Sequence, residues 1–574
     1  MSGRTFIHED CPRGLFSFQN ANLLVYTAVI SFMPTNHKRR LSTTAILIAI
    51  AIVAITTTTT MSPTSAKITD VSVKYNEFRE SRAKPRNYIT QLIFEMEHSL
   101  DQLKAKDLTI SKLEEMAVFI YESMSIATRN YHSVQHVFGI IGHDVRLKDN
   151  SIAILAACFH DCIYYHLDGG LTPRMATLLK GSFEVTDPDI EQHDDSDYIN
   201  AQHIYKFSAT DRETGMDDKH LQMVETIFGY TSGQNLRFAG DGLNEFLSAL
   251  VAVRMLKDHL PMEILAQIAC CIEATIPFIN ADKETGKTHM DKLHDNMKKV
   301  KEAYNLELSD EDLVKSVQVA CLLSNSDVEN FGSTDRLWFL DCSWNLLTEQ
   351  NVSLRNEHVY SVDHFLAALY GTFGFYGFLQ PAVVFHEFQG VPAASEMETL
   401  MQECKNNLEF GRTYVGAKVV AMSLVSALAI LTGGDAPISL FTGDLRMKER
   451  RSDVMTCPPS PLSSRMPEET SQHPPNECLE SCTDYVYEIL AEGRRSESSF
   501  DTKRSPWAAL LYGYLGDEGL NRILKEHTLY PMTPERAWIL LRALPPKPVN
   551  IIVQSISKQA PTRADRISEI ISQL

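Results

Sequence analysis

The sequence predicts an all-α protein, and three observations carry that expectation. From Asn87 onward apolar residues recur at spacings of three and four, as in helices with one buried face. No sustained period-two alternation is present, so no set of half-buried strands is expected. Helix-start signals punctuate the pattern: a capping box from Ser111 to Glu114, and Thr533 followed by Pro534 at a first helical position.

Taken in order, Tyr88, Leu92, Ile93, Met96, Leu100 and Leu103 mark the first helix, and Leu108 to Ala127 holds the second. Further helical stretches are expected near 132–143, 150–163, 191–207, 217–228, 241–256, 261–275, 308–326, 361–372 and 411–431. The interval 446–482 changes character: Pro458, Pro459, Pro461, Pro467, Pro474 and Pro475 stand among Ser, Thr and Glu, with too little apolar surface to order the segment. Helical periodicity returns at 482–493, 506–526, after Thr533 and after Thr562, with a break at Leu544-Pro545-Pro546. The expected domains are an amino-terminal tail over 1–85, a large helical domain over 86–440, a linker over 441–482 and a small helical domain over 483–574.

Composition narrows the function classes. Hydrophobic residues at 44% and charged residues at 22% are globular values, so most of the chain should fold in water. Lys plus Arg at 54 against Asp plus Glu at 73 leaves a net charge of −19, which repels a polyphosphate backbone; generic nucleic-acid binding is not expected. Eleven cysteines are an odd number, and Cys158, Cys162, Cys270, Cys271 and Cys321 sit in apolar helical runs, so reduced thiols are expected. Near the amino terminus, Ala45 to Ile55 follows Lys38, Arg39 and Arg40; at about 11 residues it is short of the roughly 20 that span a bilayer, and has the layout of a signal peptide. Translation from Met33 would give an exported or membrane-anchored protein; translation from Met61 would remove the segment and leave a cytoplasmic one. Any membrane contact is expected through this tail only.

The chemistry is concentrated in Arg129-Asn130-Tyr131-His132-Ser133-Val134-Gln135-His136-Val137 and in an apolar helix that ends Phe159-His160-Asp161. His132 and His136 are four apart, so on one helix they would share a face at metal-ligand spacing. Ser133 stands where a zinc-protease motif would carry its glutamate base, which sets that class aside. His160 and Asp161 bring an imidazole and a carboxylate to the edge of an apolar core, and a divalent cation satisfies both. A further carboxylate, Asp327, ends the apolar stripe of Val317, Ala320, Leu323 and Ser324; Asp341 is the alternative. Arg129, Tyr164, His166, Asp168, Glu273 and Thr275 are candidates for pocket residues or for partners of a ligating histidine. Cys478 and Cys482 with His473 lack a fourth ligand for a metal knuckle, and Gly433-Gly434 and Gly240-Asp241-Gly242 lack the strand, lysine and helix of a phosphate loop.

Jointly, three histidines and an aspartate placed by two consecutive helices resemble the HD superfamily of metal-dependent phosphohydrolases, in the branch with a Y-H-x-x-x-H helix ahead of the H-D pair that is similar to cyclic-nucleotide phosphodiesterases. The resemblance covers residues 129 to 166, and more loosely 86 to 430. It implies His136, His160, Asp161 and a distant aspartate, here Asp327, as ligands of one or two divalent ions, with Mn, Fe, Co, Ni, Zn or Mg all admissible. It implies His132 as the acid that protonates the leaving oxygen, Asp161 as a shared or bridging ligand, and a small phosphorylated substrate, expected to be a nucleotide. The interval of 327 − 161 = 166 residues between the aspartates exceeds what compact members need and leaves room for insertions such as 181–218. Two other readings accompany it: a catalytically inactive HD-like module that binds a ligand or relays a signal, and a di-iron oxygenase drawing further ligands from His193, His203 and His220.

Overall fold

The computed structural model describes residues 87–186, 204–207, 218–231, 234–237, 242–356, 359–443 and 482–574. All belong to one of two contact units, Lys67–Leu574; the other, Met1–Ala66, lies outside the described residues, as do the apolar segment at 45–55 and most of the proline-rich interval.

The described chain is all-α apart from one small sheet. Its first part runs α1 (Tyr88–Gln102), α2 (Ile110–Met124), α3 (Val134–His143), α4 (Val145–Lys148), α5 (Ser151–Phe159) and α6 (Pro173–Leu178). Strands β1 (Phe183–Thr186), β2 (Ile204–Phe207) and β3 (Asn235–Arg237) form an antiparallel sheet in the order β1-β2-β3, with α7 (Lys219–Ile227) between β2 and β3. There follow α8 (Leu243–Leu256), α9 (Met262–Glu273), α10 (His289–Tyr304) and α11 (Asp310–Asp327). The second part comprises α12 (Arg336–Gln350), α13 (Val362–Phe378), α14 (Pro381–Val384), α15 (Ala394–Thr432), α16 (Ser439–Thr442), α17 (Cys482–Glu492), α18 (Pro506–Glu526), α19 (Pro534–Ala543), α20 (Pro546–Gln559) and α21 (Ala564–Ser572).

These elements follow from local chemistry. Asn87, Thr109, Asn150 and Ser309 cap their helices with side-chain oxygens, satisfying amides that have no partner within the first turn. The residues from Ala153 to Phe159 in α5 are all buried, because that helix is apolar on every side and runs through the core. It therefore delivers whatever follows Phe159 to the centre of the protein.

Two apolar cores result. One is built from residues between Leu92 and Leu323 with Phe388 added; the other runs from Phe331 to Ile570. The seam falls just after Asp327, not at 441–482, and this corrects the expected division. The carboxy-terminal helices are part of the second core: α15 packs against α18 and α19, and Arg563 and Arg566 donate to the carbonyls that end α15, at Ala429, Thr432 and Gly434. A buried charge cluster ties the same parts together. Lys418 Nζ and Arg494 Nη1 lie 2.7 and 2.9 Å from Asp501 Oδ2, and both cations lie over the Trp344 ring. Removing that carboxylate would strand two buried cations, at about 3–5 kcal/mol. The proline-rich segment thus connects parts of one core.

Two further expectations change. Residues 204–207 are a strand, not the end of a helix over 191–207, whose remainder lies outside the described residues. Helix α10 is rich in Lys, Asp and His and α12 carries apolar residues on every side, so neither shows a clean apolar stripe to the eye. The apolar part of α15 is long enough to cross a membrane by length and composition, but 89% of that window is buried inside the protein.

Candidate metal centre

The motif segment starts outside its helix. Ser133 is the N-cap of α3, so His136 occupies its first turn while Tyr131 and His132 lie in the bend before it. The expectation that both histidines project from one helical face is thereby corrected. They still meet, with rings 6.1 Å apart and edge to face. His160 caps the carboxyl end of α5, and Asp161 opens the following turn.

From α3, α5 and the last residue of α11, His136, His160 and Asp327 bring one ligand atom each to within 4.8 Å of one another. Among the described residues, no other group of three or more His, Cys, Asp or Glu converges in this way. His136 Nε2 lies 2.7 Å from Asp327 Oδ1. His160 Nε2 lies 3.0 Å from Asp161 Oδ2 and 3.5 Å from Asp327 Oδ1. The Nδ1–H of His160 is committed to the Ala157 carbonyl at 2.8 Å, which leaves Nε2 as the lone-pair nitrogen. Despite their proximity, His160 Nε2 and Asp161 Oδ2 have no partner at hydrogen-bonding angles, although both are buried. His136 Nε2 and Asp327 Oδ1 hydrogen-bond to each other, while the buried His160 Nε2 and Asp161 Oδ2 beside them are left without a partner; a cation would satisfy both, so the site fits a metal ion.

The electrostatics agree. Burial opposes charge on Asp161, but His160 and His132 outweigh it and hold the carboxyl below its usual range. Asp327 is likewise brought down to about 2, against its own burial, by His136 and His160. Burial lowers the affinity of His160 for a proton, and the adjoining Asp161 and Asp327 carboxylates more than restore it.

Sequence reasoning missed Glu349 at the end of α12. Its Oε1 accepts from the backbone amides of Asn130, Tyr131 and His132 at 2.6, 2.6 and 3.2 Å, and its Oε2 lies 2.5 Å from His132 Nδ1. One carboxylate from the second core therefore folds the bend before α3 and orients the His132 ring. Against the effect of burial, Asp161 and Glu349 raise the pKa of His132. The signal for Glu349 was the same as for Asp327, an acidic residue closing an apolar helix.

Other candidates separate clearly. Arg129 donates from Nε and Nη2 to the two Asp168 oxygens at 2.9 and 2.6 Å and from Nη1 to the Asp161 carbonyl at 2.5 Å, which ties the bend before α3 to the turn after α5. The Tyr164 ring lies 4.8 Å from that of His132. Thr275 donates to the Ile272 carbonyl, and both it and His166 line the cleft described below. Glu273 is corrected: it pairs with His289, whose Nε2 is 2.9 Å from each carboxylate oxygen, and not with a histidine of the donor group. Asp341 accepts from the Ser496 amide and stands outside the donor group. His220 does not join it, and His193 and His203 lie outside the described residues, as does His473.

The donor group borders a cleft of about 450 Å³, with His132, Asp161 and Asp327 in its wall together with Tyr131, Tyr164 and Glu349. A second, smaller cleft of about 350 Å³ reaches His136 and Asp327 past Tyr131. Gly242 shapes the larger one: it has φ +69°, and a Cβ there would strike Ile276. Compared with family models, curated proteins and solved structures, the chain matches none.

Proposed function

We propose that this protein is a metal-dependent phosphohydrolase of the HD type that cleaves a phosphate ester or phosphodiester. The reading rests on one observation above all: His136, His160 and Asp327 converge beside Asp161 at a cleft whose wall also holds an oriented histidine, His132. His136, His160, Asp161 and Asp327 would hold the metal. With two imidazoles in the set, a transition metal is favoured over magnesium alone. A divalent ion there would supply an acidified water and neutralise phosphoryl charge.

The chain's own residues do the rest. Glu349 accepts the Nδ1 proton of His132, so the protonated ring keeps its second proton on Nε2, the nitrogen left for the substrate. As the bond between phosphorus and the leaving oxygen breaks, His132 Nε2 gives its proton to that oxygen; the hydroxyl of water bonds to phosphorus, and the water's other proton passes to solvent, from which His132 is reprotonated. Arg129 and Asp168 keep the turn carrying Asp161 in register with His132. The test is metal analysis of the purified full chain combined with a phosphate-release screen over nucleotides, cyclic nucleotides and small phosphate esters. Substoichiometric metal together with no release from any of them would overturn the reading.

A further inference from the structure

The walls of the larger cleft carry a charge pattern that the proposed hydrolysis leaves unused. Its acidic side chains are Asp161, Asp327, Glu349 and Glu245, and no Lys or Arg lines it among the described residues. The nearby arginines are committed elsewhere: Arg129 to Asp168 and the Asp161 carbonyl, Arg355 to the carbonyls of Thr348, Glu349 and Leu167. Asp161 and Asp327 face the donor group and Glu349 faces His132, so Glu245, in the first turn of α8, is the carboxyl in excess; burial, and then the nearby Asp161 and Asp327, push its pKa up to about 7, so a cation seated beside it would complete its ionisation. The same wall is aromatic, with Tyr131, Tyr164, Phe278, Phe331 and Phe375, and the start of α8 lies against Ile276, two residues before Phe278. Phe278 sits at φ +60°, a left-handed conformation that a bulky residue adopts only when its surroundings impose it. It packs edge-on against Phe331 and Phe375, with ring centres 5.9 and 5.6 Å away.

An aromatic enclosure with one surplus carboxylate suits an organic cation, which gains from ring faces and from the acid together. A polyphosphate meets the opposite situation, because each phosphate beyond the first would face carboxylates with no Lys or Arg to receive it, and His166 is, among the described residues, the one further imidazole in the wall besides His132. We infer that the substrate carries one phosphoryl group and a positively charged organic group, an ammonium alcohol phosphate in class, with the cation seated beside Glu245 against Phe278 and its aromatic neighbours. This inference rests on the phosphohydrolase reading for the phosphoryl end and on the cleft walls for the cationic end.

The experiment uses the metal-loaded full chain with phosphocholine and its uncharged isostere, 3,3-dimethylbutyl phosphate, and with AMP and ATP as competitors of other chemistry. Phosphocholine should show kcat/KM about tenfold above the isostere, most of it in KM, and calorimetric binding should show the same ratio. Glu245→Gln and, independently, Phe278→Leu should bring that ratio close to one while circular dichroism remains helical. Equal binding of the charged and neutral esters would overturn the inference, as would a preference for AMP or ATP. p-Nitrophenyl phosphate separates the two claims. If neither it nor bis(p-nitrophenyl) phosphate is hydrolysed, the phosphohydrolase reading fails, and calorimetry of phosphocholine against the isostere still decides whether the cleft seats a cation.

Discussion

Among the described residues a part-buried histidine–glutamate pair, His132 with Glu349, and a buried one, His289 with Glu273, share their chemistry, and of the two only the first borders a cleft. In both, the carboxylate raises the histidine's proton affinity against the effect of burial. Both lie near a further imidazole, with ring centres 6.1 Å apart for His132 and His136 and 5.6 Å for His289 and His386. The difference is in the surroundings. His132 and Glu349 border a cleft and adjoin the His136, His160 and Asp327 donors. His289 and Glu273 line neither cleft and hold α9 to α10, with His386 closing over them from the second part of the chain. A perturbed histidine therefore marks a candidate site only when open space and further donors accompany it.

The largest effect that would break this comparison is loss of the donors themselves. His136→Ala, and separately Asp327→Asn, should leave the purified protein without stoichiometric metal by elemental analysis and reduce phosphate release to background. Retention of metal by both variants would remove these residues from the ligand set. Next, His132→Ala should keep its metal and lose about 10²- to 10⁴-fold in turnover, as expected for a proton donor. Equal metal loss in His132→Ala and His136→Ala would erase the distinction of roles. Glu349→Gln should act through His132: metal is retained, turnover falls about 10- to 100-fold, and the alkaline limb of the kcat profile moves to lower pH because the imidazolium has lost its anionic partner.

How much of this was legible in the sequence follows from the same pairs. The helical class, the apolar helix that delivers His160 and Asp161, and the convergence of Asp327, not Asp341, with the two histidines were readable because each rests on a local pattern with one dominant periodicity. What escaped was decided by tertiary contact. Glu349 meets His132 across 349 − 132 = 217 positions, and nothing local in α12 says which segment its carboxylate will reach. Glu273 looked like a partner for a ligating histidine because it interrupts an apolar helix, yet His289 takes it, from a helix too polar to be noticed by its apolar pattern. The boundary at 441–482 failed for a similar reason: a proline-rich segment shows where the chain leaves the core but not that it returns to the same one.

The sealed pair gives the smaller predictions. Glu273→Gln should leave turnover within about twofold of the parent and lower stability by roughly 1–3 kcal/mol, since it removes a charged acceptor from a buried imidazole. A large fall in turnover without a stability change would mean that the second pair is not merely structural. The last prediction concerns His386. Burial, and then the neighbouring His289, push its pKa down to about 4, below the ordinary value near 6.5. Between those values the unfolded chain binds the proton that the folded chain refuses, so stability must fall as pH falls through that window. The contribution is about 1 kcal/mol for the step from pH 6.5 to 5.5, small enough to be hidden by other groups in one melting curve. The measurement is therefore a difference: melting of the parent minus that of His386→Phe, which keeps an aromatic ring against His289 and has no titrating nitrogen. That difference should shift against the parent as pH is lowered from 6.5 to 4.5. A difference constant with pH would show that His386 titrates as an ordinary histidine and that this second cluster is open to water as well.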